Sequence, residues 1–200
     1  APAFDVLEAR ATLPGGGQYT WFVASLDPAV ESYLAGHRLD LRAGPSVELS
    51  FSELARFDGA GNAARYLVPV VPFALLERAG GGSANGPQRL ESNNVMYAAD
   101  FSWAWRPGVR LYGEVAIDDL TFDNSRPLLM AWQAGAHLRR RTERGAWSLR
   151  GEYARVYPNT YADADGHHFV NAGFPTGSAL GPDADRFSAR LEWRPNAVWA

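Results

Sequence analysis

The residues with the richest chemistry in this sequence lie between Val156 and Asp185. This stretch combines aromatic side chains with carboxylates, imidazoles and amides. The apolar face of a sugar ring stacks on an aromatic ring, and the sugar hydroxyl groups need paired donors and acceptors. The composition therefore predicts carbohydrate contacts, although an ordinary polar loop contains the same residue types. The candidate contact residues are Tyr157, Tyr161, His168, Asp183 and Asp185.

A second set of charged residues falls on one side of segments that alternate polar and apolar residues. Opposite charges on neighbouring strands of a sheet pair across the strands. One interpretation is a network that stiffens the wall of a plugged or water-filled lumen. The other is a selective channel for an anion or a sugar acid. The candidate network residues are Glu114, Asp118, Arg150, Glu152 and Arg190.

Other chemistries find little support in the sequence. The run 163–166, Asp-Ala-Asp-Gly, is similar to the start of a calcium loop, but no Glu follows at the required position, and an Asx turn explains it better. His167 and His168 are adjacent, so on an extended segment they point apart and chelate one metal poorly. No serine stands in a nucleophile-elbow context, and no carboxylate pair stands out as acid and base. We therefore expect that the protein is not an enzyme and that it has neither a metal site nor a cofactor.

The elements that must position these residues are strands. In Val95–Arg106, one face holds valine, alanine, tyrosine, phenylalanine and tryptophan, and the other holds Asp100 and Arg106 together with methionine, alanine and serine. A period of two indicates a strand with different surroundings on its two faces. About ten residues per run is the length that crosses a bilayer at a tilt. Similar runs cover residues 109–118, 128–139, 147–154 and 187–194, with a weaker one at 47–52 and a vaguer hairpin at 19–42.

A soluble sandwich or a lipocalin-like barrel is the competing interpretation of this alternation. Three features favour a membrane wall instead. The runs are long, their apolar faces mix glycine and alanine with large aromatics, and tryptophan or tyrosine lies near the strand ends. Lipid tolerates an uneven surface, whereas a close-packed core must interdigitate. Aromatic residues near strand ends suit the two membrane interfaces.

The lengths of the connections alternate as well. Short connections lie near residues 43–45, 106–108, 140–145 and 195–196, and long ones span 57–93, 119–127 and 156–185. Short turns on one side and long loops on the other are typical of outer-membrane barrels, whose long loops face outward. We expect 57–93 to be one extracellular excursion whose apolar part lies over the barrel mouth. The alternative is a further strand at 65–76, and Pro69 and Pro72 count against it.

Composition narrows the class further. The net charge of −3 gives no basic footprint for nucleic acid, and the absence of cysteine excludes disulfides and thiolate metal sites. The longest apolar run, residues 67–76, is too short for a transmembrane helix. We expect the sequence, 200 residues in length, to be one partial barrel domain and an internal fragment, because too few strands are present to close a barrel.

Several segments together resemble the Wzi family of outer-membrane capsule-assembly proteins. They occur in the family's order, and the likeness runs from about residue 36 to 195. The resemblance implies a large monomeric barrel in the outer membrane of a Gram-negative cell, with loops that block its outer mouth. It also implies a lectin that holds capsular polysaccharide on the surface. The segments are residues 93–101 (NNVMYAADF), 111–114 (LYGE), 117–119 (IDD), 152–161 (EYARVYPNTY) and 181–186 (GPDADR).

The sequence as a whole predicts an all-β fold: a fragment of an antiparallel transmembrane β-barrel, with about six to eight strands and long extracellular loops at 57–93 and 156–185. The expected function is binding of capsular or extracellular polysaccharide and its attachment to the cell surface. The expected partners are that polysaccharide and outer-membrane lipid, and the full-length protein is expected to be monomeric. A porin for small solutes is the alternative.

Overall fold

Strands account for nearly all of the regular structure. The computed structural model describes residues 5–27, 31–59, 65–68, 71–73, 75–76, 94–118, 129–158, 160–161, 170–171, 174–175 and 180–196. The strands are β1 (Asp5–Thr12), β2 (Gln18–Asp27), β3 (Ser32–Ala43), β4 (Val47–Asp58), β5 (Asn94–Arg106), β6 (Val109–Asp118), β7 (Met130–Thr142), β8 (Gly145–Val156), β9 (Val170–Asn171), β10 (Phe174–Pro175) and β11 (Ala184–Pro195). Within these described residues, no helix is long and apolar enough to span a membrane.

Nine of the strands form one antiparallel sheet in chain order. The order is β1-β2-β3-β4-β5-β6-β7-β8-β11, and β9 and β10 pair with each other separately. β1 and β11 are the two edges of the sheet, which is open as described. The predicted all-β, antiparallel barrel-wall fold is confirmed, with one strand more than the expected six to eight. The alternative strand at 65–76 is wrong, because β4 pairs directly with β5 and residues 65–66, 73 and 75–76 have helical backbone.

The connections differ sharply between the two ends of the sheet. At one end, which we call the turn end, residues 13–17, 44–46, 107–108 and 143–144 join consecutive strands. At the opposite end, the loop end, the connections are 28–31, 59–93, 119–129 and 157–183. Gly108 shows why the turns are tight: its φ is +79°, and a Cβ there would collide with the carbonyl oxygen of Arg139.

The two faces of the sheet have different side chains, as the period of two predicts. One row across β4 to β7 holds Ser50, Asp100, Glu114 and Gln133, and we call this side the polar face. The neighbouring row across β3 to β5 and β8 to β11 holds Leu41, Leu49, Phe101, Tyr153 and Phe187, and we call this side the aromatic face. Directly opposed residues of antiparallel strands share a face, so the register fixes both sets.

Burial falls from the loop end to the turn end. At the loop end of β2 to β6, Ala24, Leu26, Leu34, Met96 and Ala116 form a buried cluster on the polar face. A second cluster, on the aromatic face, comprises Ala35, Ala55, Phe57 and Val95 with Tyr66 and Phe73. At the turn end the large side chains are exposed, among them Trp105, Leu191 and Trp193. The chain therefore covers both faces of its own sheet at one end only.

The segment around Phe73 lies on the aromatic face. The sequence analysis instead expects this segment to lie over the barrel mouth. The Phe73 ring stacks on the His37 imidazole with centroids 4.3 Å apart, and its N–H donates to Glu53 Oε2 at 2.9 Å. His37 Nε2 lies 2.6 Å from the same carboxylate oxygen. Trp21 adds a bond from its indole N–H to the Tyr66 carbonyl at 3.1 Å. A histidine–carboxylate pair and stacked rings thus hold this segment against β2 to β4.

Candidate functional site

Three of the five predicted sugar-contact residues meet around one arginine at the loop end. Arg155, the penultimate residue of β8, is directly opposite Asp185, the second residue of β11. Its Nη2 lies 2.9 Å from Asp183 Oδ1, and its Nη1 lies 3.5 Å from Asp185 Oδ2. Its guanidinium carbon lies 5.5 Å from the centroid of the Tyr157 ring. We call these four residues the Arg155 cluster.

The Arg155 cluster presents its polar groups to solution. The Asp183 and Asp185 side chains are 65% and 57% exposed, whereas the Arg155 side chain is partly buried, with 28% exposed. Asp183 has φ +49°, a left-handed conformation that aspartate tolerates better than most residues. Exposed ion pairs add little to stability, so these carboxylates can exchange a guanidinium for a hydroxyl donor at low cost. The arrangement combines a ring surface, two acceptors and a fixed cation.

The other two predicted contacts are placed differently. Tyr161 packs against the buried cluster of the polar face, and its N–H donates to Asp118 Oδ2 at 2.7 Å. Thr160 bonds through its hydroxyl to the Met130 carbonyl at 3.0 Å, which fixes the start of this loop on β7. Tyr161 is therefore on the opposite side of the sheet from the Arg155 cluster. His168 lies outside the described residues.

The five residues predicted for the inner network all lie on the polar face, but they do not form one network. Glu152 accepts from Arg150 Nη2 at 2.7 Å and from the Tyr112 hydroxyl at 2.9 Å. Glu114 instead accepts from the Gln133 amide at 2.8 Å. The remaining two, Asp118 and Arg190, bind Tyr161 and Glu192 respectively. The polar face thus carries several small clusters.

Comparison with known proteins identifies the family. The model of the family described as "Capsule assembly protein Wzi" matches residues 12–194, which is nearly the whole chain. The chain belongs to the Wzi family. No curated protein and no solved structure gives a significant match. Membership confirms the resemblance drawn from the sequence and links the chain to capsule assembly in the outer membrane.

This Wzi-family chain has a charge cluster that the sequence analysis missed. Arg38 binds both oxygens of Asp100, with Nη1–Oδ2 2.7 Å and Nη2–Oδ1 3.1 Å, and its Nε donates to Asp40 Oδ1 at 2.8 Å. Ser50 donates to the same Asp40 oxygen at 2.7 Å. The alternation within Leu34–Arg42 places Arg38 and Asp40 on one side, so this signal was available once the hairpin is taken as two strands.

Two further residues of this Wzi-family chain depend on register and were not predicted. Tyr112 bridges Arg150 and Glu152, because its hydroxyl accepts from Arg150 Nε at 2.8 Å. Its ring lies against Gly135, where a Cβ would come within 2.5 Å of the ring Cζ. Arg155, the centre of the loop-end cluster, belongs to the 152–161 segment but was not named as a contact. No group of three or more His, Cys, Asp or Glu suited to a metal occurs among the described residues.

Proposed function

We propose that this chain is part of an outer-membrane β-barrel that binds capsular or extracellular polysaccharide and attaches it to the cell surface. The observation that carries the proposal is the Arg155 cluster, since it joins an aromatic ring, two exposed carboxylates and a cation at the loop end. Membership in a capsule-assembly family makes a glycan polymer the natural ligand. The binding needs no catalysis, and we propose that the protein is not an enzyme.

In the proposed orientation the loop end points out of the cell and the turn end points to the periplasm. Loops 57–93 and 156–185 are then extracellular. The aromatic face contacts outer-membrane lipid, and Trp103, Trp105 and Trp193 at the turn end lie at the periplasmic interface, where aromatic side chains are favoured. The polar face lines the lumen of a full-length barrel, which we propose to be monomeric.

We propose that Tyr157 stacks on the apolar face of a sugar ring, as aromatic rings do in carbohydrate sites. Asp183 and Asp185 accept hydrogen bonds from sugar hydroxyl groups. Arg155 holds the two carboxylates in place and donates to ring or carbonyl oxygens of the polymer. Tyr161 and His168 belong to the same loop, and we propose them as further contacts; Tyr161 would meet the polymer on the polar-face side of the sheet, separately from the Arg155 cluster.

A porin-type channel is the alternative, because a charged polar face suits a water-filled lumen. The bond between Tyr161 and Asp118 supports the binding function, since this part of loop 157–183 lies against the polar face. The two functions differ in planar bilayers. A porin conducts ions steadily, whereas a barrel with loops across its lumen does not.

The proposal is tested in encapsulated cells that express the full-length protein with Tyr157→Ala and Asp183→Asn. We expect polysaccharide to move from the cell fraction to the medium, and purified protein to bind the polymer about tenfold more weakly. The matched control is Asp5→Asn, because Asp5 is also an exposed carboxylate at the loop end of an edge strand. Unchanged retention, or equal loss with the control, contradicts the proposal. Strong ion conduction by the unaltered protein favours the porin.

A further inference from the structure

We propose a second binding site, formed by arginines on the polar face at the turn end, that binds the acid groups of an anionic polysaccharide. It is separate from the Arg155 cluster, which lies at the other end of the strands. The inference rests on the proposed function, because it takes the same polymer as ligand and adds its chemical class. We call the site the arginine patch; its members are Arg110, Arg139, Arg141, Arg150, Arg190 and Arg194.

The register brings cationic side chains directly opposite one another. Arg110 pairs with His137, His137 with Arg150, and Arg150 with Arg190, on four neighbouring strands. Directly opposed side chains on one face are about 5 Å apart, and like charges in that position destabilise a sheet. A row of this kind costs free energy unless anions offset it. The row is therefore better explained by a ligand than by stability.

The carboxylates near the arginine patch are too few to neutralise it. Glu152 binds Arg150, with Nη2–Oε2 2.7 Å. Glu192 is shared by two arginines, with Nε of Arg190 at 2.7 Å and Nη2 of Arg194 at 3.7 Å. Within the part of the chain that the structure describes, the ion pairs include no carboxylate partner for the other three members, Arg110, Arg139 and Arg141. The patch thus keeps an excess of positive charge.

The arginine patch is also open to solvent and borders a recess. A recess of about 490 Å³ at this end of β7, β8 and β11 is within the size range of small-ligand sites. It is lined by Arg139, Arg141, Ser148, Glu192 and Arg194 of the polar face and also by Arg140 and Trp147 of the aromatic face. The side chains of Arg190 and Arg194 are 77% and 83% exposed. A guanidinium presents a planar fork of donors that matches a carboxylate or a phosphate, so these groups suit uronic acid or phosphate substituents.

The position of the patch favours a polysaccharide over a lipid headgroup. The arginine patch lies on the polar face, on the opposite side of the sheet from the exposed Trp105 and Trp193. A headgroup at the bilayer interface would instead meet the arginines on the aromatic face. Those are Arg106, whose guanidinium carbon lies 4.8 Å from the Trp105 ring centroid, and Arg140, which is directly opposite Trp147.

The test uses full-length protein in detergent and calorimetric titration with an oligogalacturonate and a neutral maltooligosaccharide of the same length. In Arg110→Gln/Arg190→Gln we expect binding of the acidic oligomer to weaken at least about tenfold, since each charge-assisted hydrogen bond contributes that order. Binding should also weaken as salt rises. Arg10→Gln, which alters an exposed arginine of the opposite edge strand β1 outside the patch and its recess, should stay within about twofold. Arg110→Lys/Arg190→Lys keeps the charges but not the planar forks, so it should bind more tightly than the double Gln variant and more weakly than the unaltered protein, which guards against a folding defect.

Several results would overturn the inference. Equal binding of the neutral and acidic oligomers, or unchanged binding in the double Gln variant, shows that the patch does not select acid groups. If the neutral oligomer binds and requires Tyr157, this inference fails while the proposed function stands. If neither oligomer binds and cells still retain polymer with both sites altered, both fail. Loss of binding to phosphatidylglycerol vesicles in the double variant, with no effect on the oligomer, assigns the patch to lipid.

The like-charge row also makes a prediction about stability. Arg190→Gln should not lower the midpoint of unfolding in urea, because it removes a like-charge pair.

Discussion

Phe73 provides a sharp test of how the segment around it is held. Its ring is fully buried, stacks on His37 at 4.3 Å and meets the edge of Tyr66 at 5.0 Å. Replacement of a buried phenylalanine by alanine costs about 3–5 kcal/mol. The ring holds only the short segment around it against the sheet. In Phe73→Ala we therefore expect this segment to detach from the sheet while the strands stay paired.

The free-energy cost of the substitution determines how large an effect on proteolysis we expect. A loss of about 3 kcal/mol raises the population of the detached segment by about a hundredfold. When cleavage is slow relative to opening and closing, proteolysis follows that population. Trypsin cleavage after Arg65, on cells that express the full-length protein, should therefore accelerate by about the same factor. Arg65 is exposed, but its neighbour Tyr66 is buried between Phe57 and Phe73, which protects the bond until the segment opens.

Leu75→Ala is the matched control, because Leu75 lies in the same segment but is 55% exposed. Its cleavage rate should stay close to that of the unaltered protein. Equal rates for the two variants would refute the role assigned to the Phe73 ring. Loss of the heat-modifiable band on gels in Phe73→Ala would also refute it, because the sheet itself would then have unfolded.

Two further substitutions test the polar face and the identity of the two faces. Gly135→Ala should displace the Tyr112 ring and lower the unfolding free energy in urea by about 1–3 kcal/mol, whereas Gly151→Ala, whose Cβ would meet nothing within 4 Å, should be neutral. Equal effects would contradict this role for Gly135. Phe101→Arg should destabilise the protein in lipid by about 2–4 kcal/mol, and Ser102→Arg on the other face should not. The reverse order of these two variants would mean that the faces are assigned the wrong way round.

The alternation of residue types was sufficient to predict the strands and their faces. Val95–Arg106 corresponds to β5 within one residue at its start, and all five predicted network residues share one face. β1, Asp5–Thr12, was missed because every residue in it is exposed, so burial leaves no contrast in its sequence. β2 pairs with it from Asp5 to Thr12, and side-chain patterns do not record such backbone pairing.

Contacts between distant segments were beyond reach of the sequence. Phe73 and His37 are far apart in the chain, and no spacing rule links a loop phenylalanine to one histidine on a strand. The Arg155 cluster was found in part, since Tyr157, Asp183 and Asp185 were named from composition. Their meeting at Arg155 depends on the register of β8 with β11, which was not predicted.

The gradient of burial along the strands means that the side chains at the two ends of the sheet have different surroundings. At the loop end, Phe57 and Met96 pack against the chain's own residues on opposite faces, and this packing does not depend on what surrounds the protein. At the turn end, exposed aromatic side chains such as Trp105 and Trp193 contact the surroundings of the protein. In the proposed orientation, a change in bilayer thickness therefore acts mainly on the turn end, while the packed loop end of β2 to β6 keeps its shape.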